Sequence, residues 1–139
     1  DRDKCRCNNS SRNVQIVAET TLYFVNTKGN LVWKSLEEPF DEIVFENFGD
    51  DDIVDFYVQD ADINYLTAKG SLVRYPGEIR IELNEEGVAW ACLTRAEPFY
   101  VASGWKMTEE LNYVYLLGPN LRVQNLLHIP CYYTSNSLF

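Results

Sequence analysis

The chain is punctuated too often to sustain a helix. From Val14 onward its apolar and β-branched runs are short, and Gly, Asn, Asp or Pro closes most of them. Thr20 to Asn26 and Leu31 to Leu36 flank Thr27-Lys28-Gly29-Asn30, a Gly-containing hairpin turn. Ile43 to Phe48 and Ile53 to Gln59 flank Gly49-Asp50-Asp51-Asp52, and Ile63 to Ala68 and Ser71 to Tyr75 flank Lys69-Gly70. Ile79, Ile81 and Leu83 alternate with Glu78, Arg80 and Glu82, the period of a half-buried strand. After Asn84-Glu85-Glu86-Gly87, regular alternation puts Val88, Trp90 and Cys92 on one face, with the cysteine in the core beside an indole. Phe99 to Ala102, Tyr113 to Leu117 and Leu121 to Leu127 complete the series, and Lys106 to Leu111 fits a single helical turn. About ten short strands at roughly 8–12-residue spacing predict an all-β fold, an antiparallel sandwich or barrel. No internal repeat is evident. The 139 residues read as one domain, residues 1–13 forming a polar arm.

Charge narrows the partners. The net charge of −9 opposes nucleic acid, whose phosphates are met by clustered Lys and Arg. It opposes an anionic membrane surface too. No apolar run approaches the ~18 residues of a spanning helix, so no membrane insertion is expected. A hydrophobic share of 46% is enough for a packed core.

Cys5, Cys7, Cys92 and Cys131 make an even count in a short chain, which predicts two disulfides and an oxidising compartment. A bridge between Cys5 and Cys7 would be strained. The remaining pairings are 5–92 with 7–131, or 5–131 with 7–92; either ties the arm to the domain. Asn8 and Asn9 head overlapping Asn-x-Ser sequons in that arm, acceptors for glycan in a secreted protein. The start at Asp1, with neither Met nor an apolar leader, is what removal of a signal peptide or pro-segment leaves. An extracellular, secreted location is expected.

Between Lys34 and Lys69 eleven acids occur and no base: Glu37, Glu38, Asp41, Glu42, Glu46, Asp50, Asp51, Asp52, Asp55, Asp60 and Asp62. Such a one-signed stretch reads as a solvated face or a docking face for a basic partner. It lacks the spacing of a calcium-binding EF-hand loop, and neither metal nor cofactor is expected. His128, the only histidine, lies in the apolar run Leu126 to Cys131 and reads as structural. No nucleophile elbow, phosphate loop or zinc-protease motif occurs. Arg95, Glu97 and His128 have the residue types that small ribonucleases use, against an unfavourable charge. The candidate binding surface is Asp50, Asp51, Asp52 and Asp55 together with Trp105, Tyr132 and Tyr133, since aromatics with polar tips favour interfaces.

With four cysteines around the Ala89-Trp90-Ala91-Cys92 strand, the chain resembles the small secreted effector and cell-surface proteins of filamentous fungi. That resemblance, at the level of class, implies a disulfide-stapled β core and an interaction role. A non-enzymatic module binding a host or partner protein is the leading expectation. A glycan-binding sandwich and a small hydrolase or ribonuclease are the alternatives.

Overall fold

A computed structural model describes residues 14–45 and 51–131. Twelve strands run through them: β1 Val14–Val17, β2 Thr21–Val25, β3 Leu31–Ser35, β4 Glu42–Phe45, β5 Ile53–Gln59, β6 Asp62–Thr67, β7 Ser71–Tyr75, β8 Ile79–Glu82, β9 Ala89–Ala96, β10 Phe99–Lys106, β11 Leu111–Leu117 and β12 Val123–Pro130. One 3₁₀ turn, Met107–Glu109, joins β10 to β11 where the single helical turn was expected.

The all-β antiparallel character is as expected; the layering differs. The strands form three four-stranded sheets, β1–β4, β5–β8 and β9–β12, rather than the two layers of a sandwich or the one closed sheet of a barrel. Every pairing joins strands adjacent in sequence, so each sheet is a simple meander, the unit that propellers repeat. The physical reason lies in the links. Residues 26–30, 67–70 and 107–110 are tight hairpin turns, whereas residues 83–88 after β8 carry the chain into a new sheet.

A repeat is therefore present after all. Lys28-Gly29-Asn30-Leu31-Val32 recurs as Lys69-Gly70-Ser71-Leu72-Val73, and both glycines take a positive φ, +80° and +94°. Glu110 takes the same left-handed place in the third sheet. The carbonyl of each of these residues receives an N–H from just beyond its own sheet: Ile53 to Gly29 (2.9 Å), Leu83 to Gly70 (2.8 Å) and Cys131 to Glu110 (3.0 Å). One backbone clamp thus closes each of the three units.

The sheets pack through two apolar clusters. Leu31 and Phe45 of the first sheet meet Ile53, Phe56, Val58, Ile63, Tyr65 and Val73 of the second. On the other side, Leu66 and Leu72 meet Trp90, Leu93, Tyr100, Ala102, Tyr115 and Leu117 of the third. The second sheet is covered on both faces, which is why Ile63 to Thr67 are buried without alternation. β8, at its periphery, keeps the half-buried alternation read from Ile79 and Ile81.

Two side chains lock the first strands together. Gln15 donates Nε2–H to the Val58 carbonyl and accepts from the Val58 N–H, both at 2.8 Å, standing in for a missing ladder pair. Asp55, only 3% exposed, accepts from Phe56 N–H (2.9 Å) and from Leu93 N–H across the junction (2.7 Å). Regular alternation fails at Cys92. A bulge in β9 sets Ser103 opposite Cys92 and Gly104 opposite Trp90, so Ala91 is extra. Trp90 and Leu93 join the core cluster while Cys92 does not. Cys92 and Cys131 are buried and carry no free thiol. Cys5, Cys7, Asn8 and Asn9 lie outside the described residues.

Tyr115 is buried and donates its hydroxyl to Glu85 Oε1 at 3.0 Å. Burial first, then the Glu85 carboxylate, pushes its phenol up to about 12. An unfolded tyrosine ionises near 10. Between pH about 10 and 12 the unfolded chain releases this proton and the folded one holds it, so stability falls as pH rises through that window. Tyr115→Phe should flatten that part of the alkaline decline, measured as urea midpoint against pH.

Candidate binding site at the sheet junction

The first strands of the three sheets converge, and a crevice of about 230 Å³ opens between them. Among the described residues it is lined by Val14 and Gln15 of β1, Phe56 and Tyr57 of β5, and Leu93, Thr94 and Arg95 of β9. A second, polar bowl of about 110 Å³ lies where the second and third sheets meet, walled by Gln59, Asp60, Asp62, Asn64, Arg74, Arg95, Tyr100 and Pro119. Arg95 borders both.

The bowl is built on a buried tyrosine. Tyr100, fully buried in β10, donates its hydroxyl to Gln59 Oε1 (2.5 Å) and accepts from Asn64 Nδ2–H (3.3 Å). Asn64 also donates to the Tyr57 carbonyl (3.1 Å) and accepts from Arg74 Nε–H (2.6 Å). Arg74 then donates to the Pro119 carbonyl at 2.7 Å, tying the second sheet to the β11–β12 turn. The Arg95 guanidinium lies 4.7 Å and that of Arg74 5.9 Å from the Tyr100 ring centroid. Burial pushes the Tyr100 phenol up, and the two arginines oppose that shift.

The two arginines differ in what they have left to give. Arg74 is held at two points, its Nε–H on Asn64 and an Nη2–H on the Pro119 carbonyl. Arg95 donates only to the Pro98 carbonyl (3.0 Å) and meets no carboxylate among the described residues. A guanidinium carries five N–H donors in a planar fork. Arg95 therefore presents unused donors at the rim shared by both cavities.

Most residues singled out from the sequence lie elsewhere. Asp55 is a buried clamp rather than a surface contact, because its carboxylate is taken by the Phe56 and Leu93 amides. Asp52 is exposed at the opposite end of the sheets, against Gly29, with its carbonyl accepting from Ala68 N–H (2.9 Å). Asp51 precedes it, half-buried; Asp50, Tyr132 and Tyr133 lie outside the described residues. Trp105 is half-buried on the side of β10 away from Tyr100 and Ala102, and borders neither cavity. The acidic stretch does not make one face. Glu37, Glu38 and Asp41 fall in the β3–β4 turn, Asp60 and Asp62 in the bowl, Asp51 and Asp52 at the other end and Asp55 inside. Antiparallel pairing reverses the chain every few residues and scatters neighbours in sequence.

His128 also departs from its expected structural place. It is exposed on β12, its ring 4.4 Å from that of Tyr113, and neither it nor Glu97 borders a cavity with Arg95. No group of three or more metal-ligating side chains occurs among the described residues. The chain matches no protein-family model, no curated protein and no solved structure. The signal for the site was in the sequence: Asn64 and Arg74 break apolar runs inside β6 and β7, and a buried polar group such as Asn64 demands partners.

Proposed function

We propose that this protein is a secreted, non-enzymatic interaction module that engages a host or partner protein at the junction of its second and third sheets. The observation that carries this is Arg95, a guanidinium with unused donors where an apolar crevice meets a polar bowl. Protein contacts favour that combination, an apolar seat beside a cation able to make charge-assisted hydrogen bonds. The acidic and aromatic surface first proposed is replaced here by the junction, since Asp55 and Trp105 do not face a common space.

Glycan binding has weaker support. A sugar packs on an exposed ring face, and the Tyr100 ring is fully buried with guanidiniums beside it. Secretion and tethering of the N-terminal arm by disulfides belong to the same proposal, supported by the even cysteine count and the absence of a free thiol at Cys92 and Cys131. The test is to probe immobilised peptides and immobilised glycans with one labelled preparation of the protein. Selective retention on peptides, reduced by Arg95→Gln, is the expected result. Retention on glycans alone would overturn the reading.

A further inference from the structure

The bowl and the crevice are both small. Ligand pockets commonly measure ~300–1,000 Å³. The crevice at about 230 Å³ takes one large side chain rather than a whole ligand. The bowl at about 110 Å³ takes a compact polar group. A ligand that uses both would set an apolar group in the crevice and an acceptor for the Arg95 fork at the shared rim, close together in its covalent structure.

A C-terminal residue does this without further chain. Its carboxylate and its side chain leave the same Cα, and nothing continues past the carboxylate to collide with the wall. Resting on the interaction-module reading, we infer that this junction captures the free C-terminus of a partner polypeptide ending in a large apolar residue. Arg95 takes the terminal carboxylate, and the side chain enters the crevice between Val14, Phe56 and Leu93. The Gln59 side-chain amide makes no hydrogen bond as a donor within the described residues, and supplies a neutral donor beside Arg95. Asp60 and Asp62, which also line the bowl, offer acceptors for the N–H groups of the incoming chain. They also repel acidic residues just upstream, so neutral or basic residues are favoured there. Capture of a chain terminus by a fixed set of donors is an established mode of peptide recognition.

The experiment uses the full chain and fluorescein-labelled peptide libraries ending in Leu, Ile or Phe, each made as the free acid and as the C-terminal amide. Fluorescence anisotropy should find free-acid peptides bound, with amidation weakening them roughly tenfold or more, as loss of a charge-assisted hydrogen bond to a guanidinium would. Arg95→Gln should remove most of the difference between acid and amide, weakening the free acids by a larger factor than the amides, and leave the melting temperature within a few degrees. Arg95→Lys should retain part of the difference, since it keeps charge and loses the fork. If acid and amide bind wild-type protein equally, capture of the terminus is wrong while the interaction module stands. If no peptide of either form binds, the inference is wrong; exclusive retention on glycans would remove the module reading as well. Should Arg95→Gln not fold, the acid-against-amide comparison on the wild-type chain still decides.

Discussion

Asp55→Ala should lower stability by about 2–4 kcal/mol, more than any surface change in the acidic stretch. Its carboxylate is buried and accepts the Leu93 N–H across the junction at 2.7 Å and the Phe56 N–H at 2.9 Å. Truncation leaves both amides without that acceptor in a site that excludes water, and each unsatisfied donor costs ~1–3 kcal/mol. Asp55→Asn should cost less, because an amide oxygen still accepts from one of them. Urea denaturation gives the size of the loss, and amide exchange gives its place: Leu93 N–H should lose protection well before residues in the first sheet. A loss for Asp55→Ala below about 1 kcal/mol would mean that the two sheets are held without this clamp.

Gly104→Ala should be comparably severe, at about 3 kcal/mol, near the upper end of what overpacking costs. The β9 bulge brings the neighbouring backbone onto Gly104. A Cβ there would run into the Ala89 carbonyl oxygen and lie 2.8 Å from Trp90 Cα. Both obstacles are main chain, so no rotamer change relieves the clash. Calorimetry should show a fall in melting temperature of roughly 10 °C, given the ~4 °C per kcal/mol expected for a domain between the 100- and 150-residue size classes. A shift of only a few degrees would mean that the bulge can relax.

Both predictions rest on features that the sequence hides, and the pattern of what was legible has a physical basis. Strand existence was readable because each strand is decided locally. Ile79 and Ile81 alternate with charges, and Lys69-Gly70 can hardly be anything but a turn. β1 was missed because Val14–Val17 is only four residues long and follows directly on the polar arm. The number of sheets was not readable, since a hairpin turn and a passage into a new sheet use the same Gly- and Asp-rich residues. The recurrence of Lys-Gly-x-Leu-Val was the available signal. Position on a face was readable only where the ladder stays regular. One extra residue at Ala91 turns Cys92 away from Trp90 and reverses the alternation beyond it. Asp55 read as one acid among eleven because burial depends on the third sheet, which is far away in sequence. Arg95 was visible as a residue, but its place at the meeting of two cavities is set by β1, β5 and β9 together.

The meander pairing has a consequence for how the chain acquires and loses its structure. Every strand bonds only to its neighbours in sequence, so each sheet closes short loops and can zip from a single hairpin. Among the described residues, distant contacts concentrate at the two interfaces between sheets. Such a protein behaves more like a short one-dimensional array than like a sandwich, whose strands must find partners across the whole chain. Cooperativity then passes through the second sheet, which touches both others, and the outer sheets are the units able to open separately. Native-state hydrogen exchange should resolve this as a hierarchy. The first sheet, which shares one apolar cluster and leaves Val14 and Ile16 about 60% exposed, opens at lower free energy than the sheet at the centre.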